Sequence, residues 1–222
     1  PPPMPPYINI HTHRPEPETL SVQNVRLSAT ATPPAQGFFS AGIHPWDAAQ
    51  AQPEWLQLVA NDSPRLLAVG ETGLDLRPAF APQRMQEEWF ERQIEWANRL
   101  RKPLIVHNVH ATEALQRLLG GRTAVPTILH GFTGAPETVR QWIRRVPEVR
   151  FSFGPTTEKS PKTQEAARWV ARESPERLFL ETDDDPQSPI RTMYARCGAW
   201  TGWDIAELKE LILSNFNALI KQ

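Results

Sequence analysis

Cysteine is nearly absent from this chain, since Cys197 is the single cysteine among 222 residues. A disulfide scaffold and a thiolate-rich zinc site are therefore excluded, because each needs more than one cysteine. An excess of charge of one sign is also missing: 24 basic and 25 acidic residues leave a formal net charge of −1. This balance excludes a strongly basic nucleic-acid coat, although bound metal could still supply local positive charge.

Long apolar runs are missing as well. No stretch approaches the roughly 20 apolar residues that cross a bilayer. The opening residues, PPPMPPY, have neither the basic region nor the apolar region of a signal peptide. We therefore expect a cytoplasmic protein that does not use a membrane. Residues 1–6 are rich in proline and are expected to form an extended tail.

Short apolar runs recur along the rest of the chain and alternate with longer amphipathic stretches. Such an alternation predicts buried parallel strands connected by helices, and no linker interrupts it, so residues 1–222 are expected to form one α/β domain. The predicted strands are 7–11, 20–28, 38–44, 65–71, 103–107, 126–130, 149–154 and 177–183. The predicted helices are 81–101, 111–120, 135–146, 161–175 and 203–221.

The N-terminal part of the chain departs from this alternation of strands and helices, because residues 14–37 contain no helical pattern. Strand 20–28 is joined to its neighbours by short connections, whereas a parallel crossover usually needs a dozen residues or more. We therefore expect strand 20–28 to pair antiparallel. The missing helix also predicts a more open substrate groove on this side of the domain.

Histidines and acidic residues follow the predicted strands at their carboxyl ends, where barrel enzymes carry their catalytic groups. Each of these residues alone has an ordinary structural explanation, such as a solvated carboxylate or a hydrogen-bonded imidazole. Together they provide four imidazoles and two carboxylates, a set that suits two divalent cations (Zn, Mn, Co, Fe, Ni or Mg) bridged by a carboxylate. The candidate ligands are His11, His13, Glu71, His107, His130 and Asp183.

Successive motifs of the chain resemble, in order, those of the TatD family of metal-dependent hydrolases. The motifs are INIHTHRP, AGIHPW, VGETGLDL, KPLIVHNVHA, LHGFTGAPE, FSFGP and LETDDDP. The resemblance implies a (β/α)8 TIM-type barrel, here shortened near its N-terminus, with a two-metal centre that hydrolyses phosphodiesters, usually at DNA ends.

The resemblance also implies roles for individual residues. His11, His13, Glu71 and Asp183 would hold one metal, while Glu71, His107 and His130 would hold the other. His44 would contact a substrate phosphate. Two positions depart from the family pattern: Asn9 replaces an aspartate before the first histidine pair, and Val109 replaces an arginine after the fifth strand.

The mechanism that follows is hydrolysis by a metal-activated water, with Asp183 as general base and Glu71 as bridging carboxylate. The expected partner is DNA or another phosphodiester, and a monomer is favoured. Trp46 is a candidate for stacking a base or lining the pocket. Two alternatives remain open: an amidohydrolase-type enzyme that cleaves an amide, ester or lactone, and a non-catalytic metal-binding barrel.

Overall fold

Eight parallel strands form the centre of the molecule in a computed structural model that describes residues 4–57 and 64–221. Every apolar run that predicted a strand contains one. The strands are Tyr7–Thr12 (β1), Thr19–Arg26 (β2), Phe38–Gly42 (β3), Leu66–Asp75 (β4), Leu104–Val109 (β5), Thr127–Leu129 (β6), Val149–Phe153 (β7) and Leu178–Leu180 (β8). Their buried side chains join one continuous hydrophobic cluster, and the sheet has the TIM-type architecture that the sequence predicts.

The barrel closes at a seam between β1 and β8, mainly at the carboxyl ends of these strands. The amide of His13 donates to the carbonyl of Asp183 at 3.0 Å, and the amide of Asp183 donates to the carbonyl of His11 at 3.1 Å. Below this bridge the Asn9 side chain donates to Thr182 Oγ1 at 2.8 Å and accepts from the Thr182 amide at 3.2 Å. An aspartate at position 9 could not donate the first of these bonds when ionised.

In the part of the chain that the structure describes, six helices surround the sheet and four short 3₁₀ turns supplement them. The α-helices are Gln83–Leu100 (α1), Thr112–Leu119 (α2), Pro136–Arg145 (α3), Pro161–Glu173 (α4), Ile190–Thr201 (α5) and Ile205–Ile220 (α6). The five predicted helices are confirmed. Asp204 caps α6 in a capping box with Glu207, and Pro136 stands at the first position of α3. Within the described ranges, no helix combines the length and apolarity that a membrane span requires.

Helix α5 was not expected from the sequence, because its apolar residues are weakly segregated to one face and a glycine interrupts them. It packs Met193, Tyr194 and Cys197 into the core. Burial raises the pKa of the Cys197 thiol to about 12. A thiol held neutral in the core is unsuited to nucleophilic chemistry.

The predicted antiparallel pairing of 20–28 is wrong. Strand β2 pairs parallel with β1 (Ile8 opposite Leu20) and parallel with β3 (Val25 opposite Ala41). The dozen-residue requirement applies to a crossover that contains a helix. Here residues 13–18 make the return without a helix, through bends and a turn. Because the chain can span at most about 3.3–3.6 Å per residue, this connection is long enough to cover the length of a six-residue strand. The described chain has no helix between β1 and β3, as the sequence predicts.

Strand β4 extends four residues further than predicted, so Glu71 lies inside a strand rather than at its end. Two glycines flank this part of β4. A Cβ on Gly70 would come within 2.5 Å of the Ile105 carbonyl oxygen, and one on Gly73 within 2.2 Å of the His107 carbonyl oxygen. Glycine at both positions therefore lets β4 approach β5 closely enough to bring Glu71 beside the histidine of that strand.

The proline-rich tail is described only in part, because residues 1–3 lie outside the described residues. Residues 4–6 have no regular secondary structure and precede β1 directly.

We predict that Asn9→Ala lowers the free energy of unfolding by about 2 kcal/mol, because it leaves the buried Thr182 amide without its acceptor. Denaturant unfolding with a chelator present measures this, since metal release then cannot contribute. Asn217→Ala, on α6, is the control and should change stability by less than about 0.5 kcal/mol. Equal effects of the two substitutions would contradict the structural role of Asn9.

Candidate metal centre

The carboxylate of Glu71 lies at the centre of the site, with its two oxygens facing different groups. On one side, Oε2 is 3.5 Å from His11 Nε2 and 3.8 Å from His13 Nε2. The carboxylate of Asp183, which follows β8, approaches the same histidines, at 3.4 Å from His11 Nε2 and 3.5 Å from His13 Nε2. Two imidazoles and two carboxylates therefore surround one small volume.

On the other side, Glu71 Oε1 faces the histidine of β5 and the two histidines that follow β3 and β6. It is 2.7 Å from His107 Nδ1, 2.8 Å from His130 Nε2 and 3.2 Å from His44 Nε2. The two nearest imidazole nitrogens, those of His107 and His130, are 3.3 Å apart. The structure thus brings together all six ligand candidates from the sequence, and it places His44 at their edge.

His11 provides a test of whether these residues fit a metal. Its side chain is fully buried, and Nε2 has no hydrogen-bond partner among the described residues. A buried polar atom without a partner is costly unless something else binds it. Two ligands of a tetrahedral ion with bonds of 2.0–2.2 Å lie about 3.4 Å apart, which matches the spacing of His11 Nε2 from both carboxylates. The nitrogen and oxygen donors fit a divalent cation of the zinc or manganese kind.

The charges of the site depend on one another. Burial alone would raise the pKa of Glu71, but attraction to His130 and hydrogen bonds from His107, His130 and His44 outweigh it and hold that pKa well below its usual range. Burial likewise opposes the charged form of His130, yet Glu71 and Glu181 raise the pKa of that imidazole well above its ordinary value. A positive charge beside Glu71 is therefore favourable, whether it comes from an imidazolium group or from a metal ion.

Two buried carboxylates outside the predicted set orient the histidines of β5 and β6. Asp75 Oδ2 lies 3.4 Å from His107 Nε2, and Glu181 Oε1 lies 3.3 Å from His130 Nδ1. In each imidazole the other ring nitrogen is the one that faces Glu71. This is the arrangement in which an outer carboxylate fixes the tautomer of a metal-binding histidine. Asp75 stands in the VGETGLD motif, but the sequence gives no sign that it reaches a histidine of the next strand.

His44 differs from the other imidazoles because a backbone amide sets its tautomer. The amide of Trp46 donates to His44 Nδ1 at 3.1 Å, so in the neutral ring the proton sits on Nε2, which points at Glu71. Burial lowers the pKa of His44, which favours this neutral form. His44 therefore presents an N–H donor to the site rather than a free ligand nitrogen.

Comparison with known proteins agrees with this geometry. A family model described as TatD related DNase matches residues 12–221. The chain belongs to the TatD family. It is 33% identical over 189 residues to the uncharacterized metal-dependent hydrolase YabD of Bacillus subtilis, a match that covers 78% of this chain and 70% of that protein.

Two further proteins are similar to this TatD-family chain, one in sequence and one in fold. The human deoxyribonuclease TATDN3 is 33% identical over 138 residues, which are 60% of this chain. The match covers 48% of TATDN3, so the chain spans about half the length of that relative. The crystal structure of YJJV, a TatD homolog from Escherichia coli, superposes with a TM-score of 0.75 over 96% of this chain and 97% of its own. At 20% identity, that likeness supports the fold alone.

We predict that Asp75→Asn weakens binding of a divalent metal about 10- to 100-fold, because His107 loses the carboxylate that orients it. Competition against a chelating dye, with Zn²⁺ or Mn²⁺, measures the affinity. Asp184→Asn is a matched control, since the Asp184 side chain is 64% exposed beside the same site. Wild-type affinity in Asp75→Asn would show that Asp75 does not support the centre.

Proposed function

We propose that this TatD-family protein is a divalent-metal-dependent phosphodiesterase that acts on DNA ends. The observation that supports this most strongly is the position of Glu71, whose two oxygens face two separate groups of imidazoles. A carboxylate in that position can serve one cation with each oxygen, as in two-metal hydrolases. The relatives whose names include deoxyribonuclease or metal-dependent hydrolase point to the same chemistry.

The ligand sets that we propose share Glu71. His11, His13 and Asp183 complete one set, and His107 and His130 complete the other. When bound, two divalent cations would lower the pKa of a water and offset the charge that develops on a phosphoryl group. The identity of the metal is open among Zn, Mn, Co, Fe, Ni and Mg, with the histidine-rich donor set least suited to Mg.

The two central carboxylates differ in their access to a reacting water. The Asp183 side chain is 44% exposed, whereas that of Glu71 is 5% exposed. Asp183 is therefore the carboxylate that a water beside the substrate can reach, and we assign it the role of orienting that water and accepting its proton. The close approach of the His11 and His13 imidazoles outweighs burial and holds the pKa of Asp183 well below its usual range, so its carboxylate is ionised at neutral pH.

We assign His44 to the substrate phosphate. Its Nε2–H group points into the site from the side opposite the His11–His13 pair, and the Trp46 amide holds the ring in the tautomer that donates. A donor fixed in place before the reaction can stabilise charge on a phosphoryl oxygen without further reorganisation.

Further parts of the proposal concern the whole protein. We propose that residues 1–222 form one domain, that the protein acts as a monomer, and that it works in the cytoplasm. The short connections around β2, which contain no helix, leave room for a nucleic-acid end or a small phosphodiester beside the site.

We predict that Asp183→Asn keeps the fold but lowers turnover at least a hundredfold, since a general base typically contributes 10²–10⁴. The assay follows cleavage of single- and double-stranded DNA ends after metal loading, with circular dichroism as the check on folding. His44→Ala should also lower turnover, while metal content measured by elemental analysis stays at the wild-type level.

Three results would contradict this assignment. Metal loss in His44→Ala would make His44 a ligand. Cleavage of amides or lactones without any phosphodiester cleavage would favour the amidohydrolase alternative. Bound metal with no hydrolysis of any substrate in such a panel would favour a non-catalytic barrel.

A further inference from the structure

Two aromatic rings stack at the edge of the metal centre and form what we call the aromatic shelf, Trp46 and Phe80. Their ring centroids are 4.8 Å apart, and their planes differ by 5°. Trp46 is 38% exposed, and it is the only aromatic residue among the exposed large hydrophobic residues of the described chain. Its ring centroid is 4.7 Å from that of His44, so the shelf adjoins the site directly.

Two arginines flank the aromatic shelf. The guanidinium carbon of Arg26 lies 5.5 Å from the centroid of Trp46, and that of Arg77 lies 5.1 Å from the centroid of Phe80. Both side chains are nearly half exposed, at 43% and 46%. Aromatic faces beside planar cations form a surface that attracts flat, electron-rich rings and the anions attached to them.

Contacts with two carboxylates, of which Asp75 is fully buried, hold this surface in one arrangement. Trp46 Nε1 donates to Asp75 Oδ2 at 2.8 Å, and Arg77 binds the same carboxylate through Nε and one amino group at 2.9 and 2.6 Å. Arg26 forms a similar two-point pair with Asp47. Because Asp75 also orients His107, one carboxylate fixes the shelf relative to the metal centre. Such rigidity lowers the entropy lost when a ligand binds.

The opposite side of the site has a different character. A cavity of about 540 Å³ lies beside Asp183, between the ends of β7 and β8. Acidic side chains outnumber basic ones there, which disfavours a run of phosphates in that direction. The charged residues that line it are Glu158, Lys159, Asp183, Asp184, Asp185 and Arg196.

From this asymmetry we propose that the aromatic shelf is a nucleobase subsite for the nucleotide next to the scissile phosphate. The rest of the nucleic-acid strand would then extend past Arg77 and Arg26. This inference rests on the proposed function and adds the direction from which the strand approaches. Stacking suits such a subsite because every base has a π-face, so base identity is not read. The flanking guanidinium groups would contact the phosphates of the adjoining nucleotides.

The test compares Phe80→Leu with the wild-type protein on two single-stranded oligonucleotides. One strand carries all its bases, and the other carries abasic residues at its last three nucleotides. The only hydrogen bond of Phe80 among the described residues is made by its backbone amide, which donates to the Arg77 carbonyl at 3.2 Å. Replacing its side chain therefore removes the ring without disturbing Asp75. We expect Phe80→Leu to lower kcat/KM about tenfold on the strand with bases, mainly through KM, and less than twofold on the abasic strand.

Binding gives a second readout that does not depend on turnover. Fluorescence anisotropy of the labelled strands, with a chelator present, should show about tenfold tighter binding of the strand with bases by the wild-type protein and loss of that preference in Phe80→Leu. Ile205→Ala, which replaces an exposed side chain on α6, is the control and should behave as the wild type in both assays.

The outcomes separate this inference from the proposed function. Base-dependent binding without cleavage of either strand would refute the hydrolase assignment and leave the subsite standing. Equal binding and cleavage of the two strands by the wild-type protein would overturn the subsite while supporting the hydrolase. An equal loss on both strands in Phe80→Leu would also overturn it, because the ring would then act only through the fold.

Discussion

The carboxylate of Glu71 is buried inside the barrel, and the arrangement of the site follows from the need to compensate its charge. An isolated carboxylate in such a place would be strongly unfavourable. Imidazoles that lie in or directly after β1, β3, β5 and β6 approach it from several directions, and Asp183 adds a second carboxylate from beyond the end of β8. This many polar groups around one anion are stable only if protons or cations are shared among them. A barrel meets that requirement because its strands deliver side chains from all sides to one rim.

The groups around Glu71 depend in turn on a further layer. Asp75 and Glu181 are fully buried carboxylates, and each faces the ring nitrogen of a histidine that points away from Glu71. The backbone amide of Trp46 fixes the opposite tautomer in His44, whose ring proton points at Glu71. Asp75 also binds Trp46 and Arg77, so the surface next to the site is oriented by the same group that orients a ligand candidate. The position of the metal centre and the shape of its rim are therefore coupled physically.

The sequence predicts the strands, most helices and all six convergent ligand candidates, because buried parallel strands are continuous apolar runs and their carboxyl ends meet on one rim. It does not predict that Glu71 lies within β4, since the extension of that strand depends on glycines that admit β5. The predicted antiparallel direction of β2 is wrong because residues 13–18 return without a helix. Connection length alone cannot distinguish such a short parallel crossover from a hairpin. The sequence does not predict that Asp75 and Glu181 orient histidines, because their partners follow or lie on other strands, and a contact across strands leaves no local pattern.

The measurement that tests this account most directly is the stoichiometry and affinity of divalent metal binding in the wild-type protein and in Glu71→Gln. Calorimetric titration with elemental analysis should find two ions per chain in the wild type. The substitution should weaken both sites at least tenfold, because each site loses its share of one negative charge. Glu113→Gln, an exposed acid on α2, should bind as the wild type does. One ion per chain in the wild type, or a Glu71→Gln protein in which one site keeps its full affinity, would contradict a shared bridging carboxylate.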